Sequence, residues 1–166
     1  MSYHIYNTRG IILSERSVRE ADRIYTLLTR ELGLIRATAL GVRKEASKLR
    51  GALEPFSLST ISLVRGKEYW RITSAVFIKS ISSITKIVRP LLLLEKLVQG
   101  EDPHRELFDV IEEAINFRGE RNEMFETQLV AKILYQLGYL QESDLNLEKK
   151  ALIQAINKGI QASQLT

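Results

Sequence analysis

The sequence predicts an α+β protein in which an N-terminal five-stranded β-barrel of the OB type precedes an all-helical segment. Residues 1–80 carry short alternating runs of β-branched and aromatic residues, whereas residues 81–166 carry apolar residues at helical spacing. The charge divides at the same place. Residues 1–80 hold 14 Lys and Arg against 7 Asp and Glu, and residues 81–166 hold 10 against 13. These changes predict two domains, 1–80 and 81–166, with a basic first half suited to polyanions.

The first half contains five runs with strand character. The predicted strands are Tyr3–Ser14, Ile24–Leu32, Leu34–Val42, Phe56–Val64 and Tyr69–Ile78. Gly10 marks a bulge or a close approach inside the first of them. Gly33 indicates a tight joint between the second and third strands.

Alternation along the fifth strand predicts two faces. Every second residue from Trp70 to Ile78 lies on one face, and every second residue from Tyr69 to Phe77 lies on the other. Trp70 is expected in the barrel core. Five strands with a long loop between the third and fourth fit an OB barrel, and an SH3-like barrel remains the alternative architecture.

The second half predicts four helices. Ile84–Val98 is helical, with Pro90 expected to start, kink or split it. A second helix begins at Pro103 after an Asp102 N-cap and ends at Gly119 in a left-handed conformation. The remaining two are a helix from Phe125 that stops at Gly138, and a weaker helix from Leu152 to Ile160, interrupted by Gly159. The apolar stripe of Phe125, Leu129, Ile133 and Leu137 suits a bundle core, with a partner peptide as the alternative.

The most informative segment is the basic loop between the third and fourth strands. Five cations fall between residues 36 and 50, against the single acid Glu45. So many like charges repel one another unless an anion relieves them, so phosphate contacts are predicted. The cations are Arg36, Arg43, Lys44, Lys48 and Arg50.

A second cationic set lies at the hairpin between the fourth and fifth strands. Arg65, Lys67 and Arg71 are predicted to contact phosphates, and Tyr69 to stack on a base if it is exposed. Together the two sets form the predicted DNA-binding residues.

The sequence offers little for catalysis. Its two histidines, His4 and His104, lie in no arrangement typical of a catalytic or metal site, and no glycine-rich phosphate loop is present. Without Cys, disulfides and thiolate metal sites are excluded. No catalytic residue, metal or cofactor is predicted. No apolar run approaches the length of a membrane helix and no secretion signal is evident, so a cytoplasmic location is expected.

Several segments resemble the N-terminal domain of the RecO family of bacterial recombination mediators. Their order and spacing match across most of residues 8–78. The matching segments are Arg9–Leu13, Glu20–Ile24, Leu28–Ala37, Gly41–Lys44 and Leu49–Phe56. The segment from Phe125 to Leu140, which ends in Leu137-Gly138-Tyr139-Leu140, resembles a helix of the family's C-terminal domain.

The resemblance implies an OB fold that binds single- and double-stranded DNA, anneals complementary strands and helps load the recombinase RecA. It also implies RecR and the single-strand binding protein as partners, no enzymatic activity, and a place near the bacterial nucleoid. The basic loop matches the family's cationic OB region. The sequence departs from many members at Gln141–Leu147, where a four-cysteine zinc module is absent, so a short, metal-free C-terminal domain is expected. A protein-interaction adaptor that does not bind DNA is the alternative function.

Overall fold

A computed structural model describes residues 3–164. The N-terminal part contains five strands, and the remainder contains four α-helices. The strands are β1 (Ile5–Ser17), β2 (Arg23–Thr29), β3 (Gly33–Ala39), β4 (Ser57–Val64) and β5 (Trp70–Ser80). The helices are α1 (Thr85–Leu97), α2 (Arg105–Asn116), α3 (Glu123–Gln136) and α4 (Lys149–Gln164), and short 3₁₀ turns occupy Arg50–Ala52 and Glu142–Asn146.

The chain divides into two compact units. One comprises the described residues up to Ser83 with Gln99–Arg105, and the other comprises Ile84–Val98 with the described residues from Glu106 onward. None of the helices within residues 3–164 is both long and apolar enough to cross a membrane.

The five strands form a closed barrel in the order β1-β2-β3-β5-β4. The long β1 pairs antiparallel with β2 along one edge and with β4 along the other. Closure comes from a short parallel contact, in which Ala37 lies opposite Trp70 and Thr38 opposite Arg71. This order is the OB arrangement, so the predicted fold class is confirmed and the SH3-like alternative is not needed.

The barrel is filled by the inward residues of all five strands. Trp70 is 6% exposed and belongs to this core, as predicted. Tyr6 packs edge-to-face on its ring at 5.1 Å between centroids. Gly10 is a close-approach point, because a Cβ there would lie 2.9 Å from the Ile61 side chain. The irregularity in the pairing of β1 with β2 falls at Leu13 instead, between Ile12 and Ser14.

The predicted faces of β5 are wrong beyond Ile72. The pairing with β4 skips one residue at Thr73 and another at Ile78, and each extra residue reverses which side chains point inward. Ala75 therefore packs against the core, while Val76 is exposed.

The β2–β3 joint confirms the predicted role of Gly33, which has φ +75°. A Cβ at this position would collide with the backbone carbonyl of Asp102. Thr29 closes the turn because its hydroxyl donates to the Gly33 carbonyl at 2.8 Å.

In the helical unit, Pro90 lies inside α1 without splitting it. The predicted start of α2 is wrong, since the helix begins at Arg105 and leaves Asp102 and Pro103 outside. Gly119 does not end α2 in a left-handed conformation, because the helix stops at Asn116. Gly138, at φ +84°, does follow the end of α3 as predicted.

The helical core joins α3 and α4. Ala131 and Leu134 of α3 pack with Leu152 and Ile156 of α4. Gly159 does not interrupt α4, because it is buried against the Tyr139 backbone, where the absence of a side chain permits close packing. Within the predicted stripe of α3, Leu129 and Ile133 are buried, and Phe125 and Leu137 are half-buried.

Candidate nucleic-acid interface

The outer surface of β1, β2, β3 and β5 carries two cross-strand rows whose side chains are polar except for Ile24. Ser14, Thr26 and Arg36 form the first row, through the pairing of β1 with β2 and of β2 with β3. In the second row, register places Arg16 beside Ile24, Ile24 beside Thr38, and Thr38 beside Arg71. We call this surface the arginine face, defined by Ser14, Arg16, Thr26, Arg36, Thr38 and Arg71.

Strand alternation explains why Arg36 lies on this face. Ile35, Ala37 and Ala39 of β3 are buried in the barrel, so Arg36 between them points outward and is exposed. Arg71 is exposed between the buried Trp70 and Ile72 in the same way. Both were predicted to contact phosphates, and the structure brings them onto neighbouring strands.

Sequence reasoning missed Arg16. A regular β1 that buries Ile12 would also turn Arg16 inward. The irregularity at Leu13 shifts the alternation, so that Ser14 pairs with Thr26 and Arg16 with Ile24 on the outer surface. The signal in the sequence was weak. The predicted first strand ended at Ser14, so Arg16 fell outside it, whereas the observed β1 continues to Ser17.

A groove of about 320 Å³ crosses this face. It is lined by Ser14, Glu15, Arg16, Ile24, Thr26 and Arg36. Glu15 is held by Arg23, whose Nη1 donates to its Oε1 at 2.8 Å. Within the described residues, Arg16, Arg36 and Arg71 take part in no ion pair, so their guanidinium groups remain available to an anion.

The basic loop after β3 is tied to the β1–β2 loop by Asp22. The Gly41 N–H donates to Asp22 Oδ1 at 2.7 Å, and the Arg43 N–H donates to the Ala21 carbonyl at 3.1 Å. The loop therefore begins in a defined position at the end of the arginine face. Four of its predicted cations, Arg43, Lys44, Lys48 and Arg50, are exposed.

The hairpin between β4 and β5 carries the second predicted set. Lys67 is exposed, and Tyr69 is half-buried. Arg65 is already engaged, since its Nη1 donates to Glu101 Oε2 at 2.6 Å and its guanidinium lies 4.8 Å from the centre of the Trp70 ring. Lys67 is thus better placed than Arg65 to meet a phosphate.

Pairing places the β4–β5 hairpin and the basic loop on either side of the same stretch of β3. Because β5 runs parallel to β3 and begins opposite Ala37, the hairpin before Trp70 lies toward Arg36, whereas the basic loop leaves β3 after Ala39. The Thr38 hydroxyl donates to the Trp70 carbonyl at 3.3 Å and joins the two strands there. OB barrels bind oligonucleotides on the β2–β3 surface and the adjacent β1–β2 and β4–β5 loops, which is this region.

Tyr25 shows how the end of the barrel beneath this face is built. Burial, followed by the neighbouring Glu15 carboxylate, raises the pKa of the Tyr25 phenol above its ordinary 10.0. The phenol therefore stays neutral at neutral pH and contributes no charge to the surface.

Neither histidine lines the groove of the arginine face. His4 is exposed and lies edge-to-face with Tyr6 at 4.3 Å between ring centroids, and His104 is half-buried. Among residues 3–164, no cluster of three or more acidic or histidine side chains has the geometry to hold a metal ion.

Comparison with known proteins supports the resemblance noted in the sequence. Residues 1–81 match the family model described as "Recombination protein O N terminal". The protein named DNA repair protein RecO in Trichodesmium erythraeum is 31% identical over 147 residues, which cover 82% of this chain and 51% of that relative. Proteins of the same name in Synechococcus sp. and Dehalococcoides mccartyi are 52% identical over 67 residues and 47% identical over 81 residues.

These two matches cover 40% and 49% of this chain, and 24% and 32% of the respective relatives. The chain thus spans about half the length of the Trichodesmium relative and less of the other two. The matched N-terminal model coincides with the OB barrel that carries the arginine face. On these grounds the chain belongs to the RecO family.

Proposed function

We propose that this chain acts in recombinational DNA repair by binding DNA, annealing complementary single strands and assisting the loading of a recombinase. The observation that carries the proposal is the arginine face, where Arg16 and Arg36 line a groove together with Ser14 and Thr26, and where Arg71 lies on the neighbouring strand β5. The relatives' shared name, DNA repair protein RecO, supports the same role.

Arginine side chains in this arrangement suit the DNA backbone. A guanidinium group donates two parallel hydrogen bonds to a phosphate, which fixes both its charge and its orientation against the backbone. The strand register spreads the arginines over β1, β3 and β5, so one DNA strand that crosses the barrel meets all three. The exposed cations of the basic loop extend the contact beyond the face.

The chemistry of the face also suits annealing. Its defining side chains are Arg, Ser and Thr, and the aromatic residues next to them in the chain are not exposed: Tyr25 and Trp70 are buried, and Tyr69 is half-buried. Such a surface holds the backbone by charge and leaves most bases free to pair. A protein that neutralises phosphates on two strands also lowers their mutual repulsion, which accelerates the encounter of complementary strands.

The helical unit supports the partner part of the proposal. A groove of about 350 Å³ lies between α2 and α3, where Phe117 stacks on Phe125 at 5.2 Å between ring centroids. Lys132 lies on its lining beside apolar walls. Glu113 and Glu120 also line the groove, so its charges are mixed and its apolar walls suit the apolar side chains of a peptide. The single-strand binding protein is proposed as a partner here on the family resemblance. RecR and RecA are proposed as partners on the family resemblance alone.

The proposal is tested by an annealing assay with complementary oligonucleotides, together with a gel shift at low salt. Acceleration over buffer is expected. A Lys44→Glu/Lys48→Glu/Arg50→Glu variant should lose most binding at moderate salt, because six units of charge change in one loop. Unchanged affinity in this variant would remove the loop from the interface. No shift and no acceleration with the wild type would favour the adaptor instead.

The proposed activity is non-enzymatic and takes place in the cytoplasm, at the nucleoid. Long incubation of DNA with the protein and magnesium or manganese should leave the strands intact. Metal-dependent cleavage that copurifies with the protein would contradict this part of the proposal.

A further inference from the structure

Two loops beside the arginine face each present an exposed apolar side chain. Leu40 directly follows β3 and is 54% exposed, and Val18 directly follows β1 and is 48% exposed. Single exposed apolar residues are ordinary on protein surfaces. These two differ because one residue holds both loops in position.

Asp22 is that residue. The Val18 N–H donates to its backbone carbonyl at 3.2 Å, and the Gly41 N–H donates to its side-chain Oδ1 at 2.7 Å. Val18 is thus hydrogen-bonded to Asp22 directly, and Leu40 is the residue before Gly41, which is also hydrogen-bonded to Asp22. Gly41 adopts φ +63°, a left-handed conformation that sharply turns the chain at this point. The two apolar side chains are held at the same end of the barrel.

Cations flank both apolar residues along the chain. Arg16 and Arg19 lie on either side of Val18, and Arg43 and Lys44 follow Leu40; all four are exposed. Arg16 is also part of the arginine face. Arg19 also lies 3.9 Å from Asp22 Oδ2, and the other three cations take part in no ion pair within residues 3–164. An apolar tip flanked by cations along the chain matches a ligand whose outside is anionic and whose inside is an apolar stack. DNA has this structure, since its phosphates enclose stacked bases.

We propose that Leu40, supported by Val18, acts as an apolar wedge that inserts between adjacent bases of the DNA bound at the arginine face. This inference rests on the proposed DNA binding. DNA is favoured over an anionic lipid surface because the wedge adjoins a groove lined by two arginines and two hydroxyl groups, in which the one carboxylate, Glu15, is paired with Arg23.

The wedge predicts an unusual combination of effects. Separating two stacked bases costs a free energy comparable to the gain from burying one Leu side chain, so insertion changes base geometry while affinity changes little. A residue that merely adds contact area would instead raise the affinity and leave the base geometry unchanged. The base environment and the binding constant must therefore be measured on the same DNA.

The experiment uses a single-stranded oligonucleotide of about 20 nucleotides that carries one 2-aminopurine, whose fluorescence is quenched by stacking. Saturating wild-type protein should raise the fluorescence by about twofold or more, since the wedge unstacks a base step. The Val18→Ser/Leu40→Ser variant should lose this rise while its Kd stays within about threefold of the wild type. Leu40→Met should retain the rise, because Met keeps an apolar side chain of similar volume.

Val76→Ser is the matched control, because Val76 is an apolar residue of β5 that is 62% exposed and belongs to neither loop. Its fluorescence rise should equal that of the wild type. Tight binding by the wild type without any rise overturns the wedge and leaves DNA binding intact. A rise that survives in the Val18→Ser/Leu40→Ser variant also overturns it. Failure of the wild type to bind overturns both proposals.

Cosedimentation with anionic vesicles tests the alternative that the apolar pair binds a lipid surface. If the wild type cosediments with them, and the Val18→Ser/Leu40→Ser variant loses that cosedimentation but keeps the fluorescence rise, the apolar pair serves a lipid surface and the wedge is refuted.

Discussion

Neutralising the three arginines of the arginine face should weaken single-stranded DNA binding by an amount that can be calculated. The variant is Arg16→Gln/Arg36→Gln/Arg71→Gln. All three side chains are exposed, and none forms an ion pair within residues 3–164, so their replacement removes charge without disturbing the barrel. Far-ultraviolet circular dichroism and the free energy of unfolding should match those of the wild type.

The magnitude follows from counterion release. Each phosphate neutralised on a single strand contributes about 0.7 to the slope of log K against log salt concentration. Three lost contacts should lower the slope by about 2. This contribution vanishes at 1 M salt. At 0.1 M salt the variant should therefore bind about 100-fold more weakly than the wild type, a loss of about 3 kcal/mol in binding free energy.

The assay is fluorescence anisotropy of a labelled oligothymidine, titrated at four or more salt concentrations. The matched control is Arg118→Gln/Lys150→Gln/Lys158→Gln, which removes three exposed cations from the other unit and gives the same net charge. The control variant should retain most of the wild-type slope of log K against log salt concentration. Equal losses in both variants would show that binding follows overall charge, and the assignment of the arginine face would be refuted.

Three further predictions concern stability and are checked by urea denaturation. Gly33→Ala should lower the free energy of unfolding by more than about 2 kcal/mol, because φ is +75° and the new Cβ collides with the Asp102 carbonyl; a loss below 0.5 kcal/mol or so would contradict the described turn. Asp22→Ala should cost about 1–2 kcal/mol, since the Gly41 N–H loses its acceptor, whereas the neighbouring, exposed Glu20→Ala should change little. The raised pKa of Tyr25 means that, above its ordinary pKa of 10.0, the unfolded phenol loses its proton while the folded one keeps it; wild-type stability should therefore fall more steeply above pH 10 than that of Tyr25→Phe, and parallel curves would refute the shift.

Local sequence patterns were sufficient to predict the strands and the helices. Trp70 was placed in the core, because strand alternation is a property of consecutive residues. Gly33 was recognised at a joint because few other residues tolerate a left-handed turn. The resemblance to the RecO family then indicated which barrel these strands form.

Features that depend on the partner strand escaped prediction. The irregularity at Leu13 turns Arg16 outward, and the extra residue at Thr73 reverses the faces of β5. Neither position has a Gly or Pro to mark it. A bulge arises from the fit between two strands, so one strand's sequence does not reveal it.

Long-range pairs were equally hidden. Arg65 was assigned to the interface, but Glu101, 36 residues away in the chain, engages its guanidinium. The prediction of where α2 begins was wrong for a related reason. Asp102 lies against Gly33 of the barrel, so the local preference for an N-cap at that position is overridden.

The central claim, that the outer surface of the OB barrel receives DNA, is tested most directly by nuclear magnetic resonance of the ¹⁵N-labelled protein titrated with an oligothymidine. The largest amide shifts are expected on the arginine face, at Ser14, Thr26, Arg36 and Thr38, and in the basic loop. Shifts confined to α1–α4, or no shifts at concentrations that saturate the anisotropy signal, would contradict the account.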